Sequence, residues 1–408
     1  MTDVSTLDVL LHGKAIGTLT RLPDDRVIFA FEQGYIDDEA RDTLSLSFKN
    51  ELGGLITDMR PTRTRVMPFF ANLLPEGPLR DYLARRARIN PKREFFLLWA
   101  LGQDLPGALV IRPADGEAMP PAADQGGDAR GDAEPRPLRF SLAGVQLKFS
   151  AVAQATGGLA IPAQGIGGSW IVKLPSARFE GVPENEFAMM TLARRIGIDV
   201  PEIRLVPIDA VEGLPDGMRD LGATAFAIRR FDRREDGSAV HVEDFAQVFG
   251  VYPEDKYERA SYRNIAAVLW AETGEAGVLE FIRRLVFNTL IGNADMHLKN
   301  WSLIYPDRRG AALAPAYDFV STIAFLKDER MALNYARTKR FAEFSKDELS
   351  YLAAKAGLPR KPVLDAAAET VARFRDTWAE ARTGLGLSAR AAAAIEEHVK
   401  RVPLASEL

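Results

Sequence analysis

The chain has 408 residues, 47% of them hydrophobic and 26% charged, with a formal net charge of −4. This balance fits a globular protein of two or three domains and gives no global positive field for nucleic acid, leaving only a local basic patch open. No cysteine is present, so disulfides, thiolate metal sites and cysteine nucleophiles are excluded.

The first residues, Met1-Thr2-Asp3-Val4, carry neither a basic nor an apolar leader pattern. The longest apolar runs, such as 95–101, are too short to span a bilayer. A cytoplasmic protein with no membrane partner is expected.

Residues 7–11, 15–19 and 27–31 read as short strands, broken by His12-Gly13 and Pro23-Asp24-Asp25. Residues 78–88 read as a helix, and 92–101 as another that stops at Gly102. Residues 1–112 thus form a first α/β subdomain. Residues 113–137 hold six acids among prolines, glycines and alanines. They read as a linker or flexible loop, because so little apolar surface cannot offset the entropy of ordering.

Residues 138–240 read as a nucleotide-binding lobe. Strands are expected at 139–140, 147–152, 170–174, 202–206 and 223–230, with one helix at 184–196. Residues 241–408 are mainly helical. Helices 262–273 and 277–292 are amphipathic, the second through Phe281, Ile282, Leu285, Val286 and Leu290. That helix should end at Gly292 and leave residues 295–300 on a loop. A hairpin of 301–305 with 310–314 would then return Asp318 beside the loop. Helices at 346–357, 362–382 and 388–401 close the chain.

The loop reads Asn293-Ala-Asp295-Met-His297-Leu-Lys299-Asn300, and Tyr317-Asp318-Phe319 follows. Asp295 and Asn300 are five apart, and Asp318 lies eighteen beyond Asn300. Transfer of a phosphoryl group from ATP needs one carboxylate to take the acceptor's proton. It also needs an Asn and a second carboxylate to hold metal ions against the phosphates. Asp295 is the candidate base, and Asn300 and Asp318 are the candidate Mg²⁺ ligands. Each alone would read as a cap, an Asx turn or a turn residue; the shared spacing favours the chemistry.

His297 either orients Asp295, touches the transferring phosphate, or is a packed loop histidine. Lys299 either neutralises the γ-phosphate or is an exposed loop lysine. Lys173, inside the apolar strand Ile171-Val172-Lys173-Leu174, is the candidate for the α- and β-phosphates. Glu186 is its preferred partner over Glu184. The segment from Ser141 to Lys148 would cover the phosphates through Ala143, Gly144, Gln146 and Lys148. Arg229 and Phe231 stand where a hinge would meet adenine through its backbone.

These segments together resemble the HipA family of serine/threonine kinases, the toxins of type II toxin–antitoxin modules. In the first subdomain the resemblance rests on Phe69-Phe-Ala-Asn72-Leu-Leu-Pro75-Glu76-Gly77 and Gly102-Gln-Asp104-Leu-Pro-Gly107-Ala108. Further on it rests on Trp170 to Pro175, Glu184-Asn185-Glu186, Phe231-Asp232-Arg233, His241 to Gln247 and the loop quoted above.

The resemblance implies an α+β, two-lobed protein-kinase-like fold with an N-terminal α/β subdomain and a mainly α-helical C-terminal lobe. It implies ATP and Mg²⁺, and makes Ser141 the autophosphorylated serine. It implies an aminoacyl-tRNA synthetase as protein substrate and a HipB-like helix-turn-helix antitoxin as partner, with operator DNA reached through the antitoxin. Arg337, Lys339 and Arg340 would then lie near DNA or form a solvated face. Val320 stands where an Asp-Phe-Gly motif has glycine, and Arg229 stands where an acid is expected at the hinge. Two rivals remain: a small-molecule phosphotransferase, and a silent co-repressor of the antitoxin.

Overall fold

The computed structural model describes residues 4–118, 147–154, 158–162, 167–176, 178–214, 217–327 and 329–408. The N-terminal subdomain comprises β1 (Thr6–Leu11), β2 (Lys14–Arg21), β3 (Arg26–Phe31), β4 (Thr62–Arg63), α1 (Gly77–Arg86), α2 (Glu94–Leu101) and β5 (Leu109–Pro113). Its antiparallel sheet runs β4-β3-β2-β1-β5. The two-residue period of β1 turns Leu7, Val9 and Leu11 into a core with Phe69, Phe70 and Leu98.

Strand β5 was not expected. It is five residues long and sits beside Pro106 and Gly107, so it carries little pattern of its own; pairing with β1 creates it. The expected linker begins at 113, where β5 ends. Glu117 accepts hydrogen bonds from the backbone N–H groups of Ser5 and Thr6 and from the Ser5 hydroxyl, which fastens residues 114–118 to the subdomain.

The second sheet holds β6 (Lys148–Ala153), β7 (Leu159–Ala160), β8 (Trp170–Lys173), β9 (Ile203–Pro207), β10 (Val211–Glu212) and β11 (Thr224–Arg229), in the order β10-β7-β6-β8-β11-β9. Helix α3 (Val182–Arg195) follows β8. On β11, Phe226 and Ile228 face the α3 side, while Ala225 and Ala227 face the opposite core. The expected strand at 139–140 lies outside the described residues.

The remaining lobe contains β12 (His241–Asp244), α4 (Phe245–Val248), α5 (Tyr262–Leu290), β13 (Ser302–Tyr305), β14 (Ala312–Leu313), α6 (Lys346–Lys355), α7 (Arg360–Ala381) and α8 (Ala389–Val399). Ser261 caps α5 through a reciprocal pair of bonds with Asn264. The helix breaks at Gly274, as its two amphipathic stretches imply, and ends before Gly292. Gly292 has φ +66, and a Cβ there would lie 2.5 Å from Ile323, so the turn into the loop requires glycine. The β13–β14 hairpin is present.

Strand β12 was missed because His-Val-Glu-Asp looks like loop chemistry. Its charges are buried and satisfied. Glu243 accepts from Leu46 N at 2.9 Å and from the hydroxyls of Ser45 and Tyr305, both at 2.5 Å. Burial lifts its carboxyl to about 7.

The subdomain grips both lobes. Where the lobes join, Arg230 pairs with Asp232 at 2.8 Å and with Asp104 of the subdomain at 3.3 Å. Gly107 N donates to Asp232 at 2.8 Å. Burial opposes ionisation of Asp232, but Arg230 and Arg233 overrule it and hold the carboxyl at about 2.

Candidate active site

One cleft of about 370 Å³ lies between the lobes. It is lined by Lys148, Lys173, Glu186, Asp295, His297, Lys299, Asn300 and Asp318. The register of β6 and β8 sets Lys148 directly opposite Lys173. Cross-strand partners share a face, so both lysines point into the cleft.

Lys173 is 4% exposed and lies between two carboxylates. Its Nζ donates to Glu186 Oε1 at 2.5 Å and to Asp318 Oδ1. Burial penalises the charge on Lys173, but Asp318 and Glu186 outweigh it and raise its pKa. Burial also opposes Asp318, yet Lys173 and Lys148 hold its carboxyl near 2. Burial lowers Lys148 to about 8, which leaves a cation poised beside a buried one. Glu184 sits in the first turn of α3, one position before the buried Asn185-Glu186 pair.

The loop after α5 is built around Asn293, which is 1% exposed. Its Oδ1 accepts from Asp295 N at 3.2 Å, and its Nδ2 donates to the carbonyl of Asp318 at 3.1 Å. One amide thus ties the two carboxylate-bearing segments together. Asp318 adopts φ +59, a left-handed conformation that costs a non-glycine residue energy.

Asn300 Nδ2 donates to the Asp295 carbonyl at 2.8 Å, which leaves Asn300 Oδ1 for the cleft. Asp318 Oδ2 has no partner among the described residues. Two protein oxygens of this kind fit Mg²⁺, a hard ion that keeps waters and binds phosphates rather than filling an all-protein cage.

Asp295 opens to the cleft, but the protein packed around it raises its carboxyl above the usual range, against the pull of a hydrogen bond from Tyr257. The Tyr257 hydroxyl donates to Asp295 Oδ1 at 2.6 Å. Among the described residues the His297 ring makes no hydrogen bond to the Asp295 carboxylate; the backbone N–H of His297 donates to the Asp295 carbonyl at 2.8 Å. His297 is buried and packs edge-on against Tyr257, with ring centres 5.0 Å apart, and burial lowers its pKa to about 3.

Lys299 is not an exposed loop lysine. It bonds to Glu76 Oε1 at 2.8 Å and to the Asn72 carbonyl at 3.0 Å. Lys256 takes the other oxygen of Glu76, also at 2.8 Å. Burial opposes the charge on Glu76, but the two lysines hold its carboxyl at about 2.

At the hinge, Arg229 N donates to Glu202 O, and the Arg229 side chain turns out to Glu235 at 3.3 Å. Phe231 packs on Tyr317 at 5.8 Å, and its backbone N–H has no partner among the described residues. Ser141, Ala143, Gly144 and Gln146 lie outside the described residues. Arg337 pairs with Glu348 and Asp347, and Lys339 donates to the carbonyls of Tyr257 and Ala332. Both serve local structure.

Tyr257, Lys256 and Glu76 were not singled out as site residues from the sequence. Glu76 lies inside a quoted motif; the other two carry no local pattern.

Residues 7–112 match the family model of the HipA N-terminal domain, and residues 140–378 match that of the HipA-like C-terminal domain. The chain belongs to the HipA family. It is 58% identical over 410 residues to a Sinorhizobium fredii protein named "Putative kinase Y4dM", covering 100% of this chain and 99% of that one. It is 26% identical over 300 residues to the serine/threonine-protein kinase toxin HipA of Shewanella oneidensis, covering 64% of each chain. The Shewanella HipA solved in complex with HipB and operator DNA superposes with a TM-score of 0.72 at 22% identity, over 97% of this chain and 95% of that one. The fold is therefore the two-lobed HipA fold. Among the described residues, no helix is long and apolar enough to cross a membrane.

Proposed function

We propose that this HipA-family chain is an ATP-dependent serine/threonine protein kinase. The carrying observation is one cleft that gathers the buried Lys173–Glu186–Asp318 group with Asp295 and Asn300. Lys173, with Lys148 beside it, takes the ATP phosphates. The backbone N–H of Phe231, without a partner among the described residues, donates to adenine. Asn300 and Asp318 hold Mg²⁺, which when bound neutralises the phosphates. Asp295 accepts the proton of the acceptor hydroxyl as that oxygen bonds to the γ-phosphorus and ADP leaves. The raised pKa of Asp295 suits a group that must accept a proton.

The Shewanella relative assembles with HipB and DNA. By extension this chain pairs with a HipB-like helix-turn-helix antitoxin and reaches operator DNA through it. Its acceptors are a serine of an aminoacyl-tRNA synthetase and its own Ser141, with growth arrest as the outcome. A phosphate on Ser141 would add about −1.5 to −2 charges seven positions before Lys148 in the sequence.

The test is intact-mass and peptide mass spectrometry after incubation with Mg²⁺ and ATP, beside Asp295→Asn. The expected result is one phosphoryl group at Ser141, absent from the variant, with ATP binding retained by both. Equal phosphorylation of the variant would remove Asp295 as base. No phosphorylation of initially unmodified protein would remove the kinase reading.

A further inference from the structure

Asp295 presents two carboxylate oxygens, and the chain treats them differently. Oδ1 receives the Tyr257 hydroxyl at 2.6 Å. Oδ2 has no hydrogen-bond partner among the described residues, and Asp295 lines the cleft. Tyr257 itself is held from three sides. Its carbonyl accepts from Lys339 Nζ at 2.9 Å, and its ring rests on His297. Its neighbour Lys256 is anchored to Glu76, and the Lys256 carbonyl accepts from Leu298 N in the loop. Yet Tyr257 is 37% exposed, so an apolar core does not require it there.

We propose that Tyr257 is a positioning residue for Asp295: its hydroxyl fixes Oδ1 so that Oδ2 alone meets the acceptor hydroxyl. The proposal rests on the kinase reading. A carboxylate can accept about four hydrogen bonds, so one phenol does not fill the site and need not leave when an acceptor enters. A tyrosine has few rotatable bonds, so a clamped one holds its partner at low entropic cost. The part of His297 follows: neutral and buried, it is the wall on which the Tyr257 ring is set, not a proton carrier.

The experiment uses full-length protein with Mg²⁺ and ATP. It follows phosphate on the chain and free phosphate released to water, together with ATP affinity and melting temperature. Tyr257→Phe keeps the ring. It should slow single-turnover transfer by roughly 10- to 100-fold, the scale set by misplacing a reacting group. ATP affinity and melting temperature should stay unchanged.

On an Asp295→Asn background the same change should cause no further loss, because the hydroxyl acts only through Asp295. An unchanged rate, an additive loss in the double variant, or a faster Tyr257→Phe enzyme would each overturn the proposal; the last would make the phenol a competitor of the acceptor. If wild type and Asp295→Asn transfer phosphate alike, the fault lies in the assignment of Asp295 as base, and the positioning role falls with it.

Discussion

Lys173 sits between two carboxylates in a nearly dry place: it holds the Asp318 carboxyl near 2, while burial still lifts that of Glu186 to about 7. Its side chain is 5% exposed and that of Glu186 is 1% exposed. Removing one partner of a buried pair leaves an uncompensated charge and typically costs ~3–5 kcal/mol. Lys173→Met should therefore lose stability on that scale in urea unfolding, and should also lose ATP binding. A variant as stable as wild type would mean that Glu186 and Asp318 take up protons at little cost. Asp295, Asn300 and Asp318 could be proposed from the sequence because their spacing is local, and Lys173 because it is a charge inside the apolar strand Ile171-Val172-Lys173-Leu174. Tyr257 was not legible, since its bond to Asp295 spans 38 positions and lies on no periodic element.

At the scale of elements, the end of α5 at Gly292, the β13–β14 hairpin and the three closing helices were readable from period and punctuation. Strands β5 and β12 were not, because partners rather than propensity create them. The same limit hid the joint formed by Glu76. Its carboxylate lies at the start of α1, yet it bonds Lys256, 180 positions away, and Lys299 of the loop.

The folded pKa of Glu76 is about 2 against an ordinary 4.5. Its contribution to stability is thus fully present above pH 4.5 and is lost as pH falls toward 2. The shift corresponds to roughly 3 kcal/mol at neutral pH. Glu76→Gln should lower stability by about that much at pH 7, with the gap to wild type closing on acidification. Melting curves across pH check this, and a gap that stays constant with pH would mean that Glu76 acts by packing alone.

On the scale of the whole molecule, the N-terminal subdomain is part of the kinase-like body. Three buried charged groups cross the boundary: Arg230 to Asp104, Glu243 to Ser45, and Lys256 with Lys299 to Glu76. Leu147, Ala239 and Tyr252 of the lobes also pack against the subdomain core. At Gly107, with φ +75, a Cβ would lie 2.8 Å from Val242 N, so the two backbones nearly touch. Removing residues 1–118 would take Asp104 from Arg230, which keeps Asp232, take the Ser45 and Leu46 donors from Glu243, which keeps Tyr305, and leave Lys256 and Lys299 without Glu76. The uncompensated lysines alone cost of order ~3–5 kcal/mol, and with the lost donors and apolar contacts the total rivals the ~5–15 kcal/mol by which a typical domain is stable. A fragment of residues 119–408 should therefore fail to fold. Its circular dichroism should lack a cooperative melt, and it should not bind ATP, whereas the full chain should unfold in one calorimetric transition. A fragment that melts cooperatively and binds ATP would show instead that the lobes fold alone and that the subdomain is an attachment.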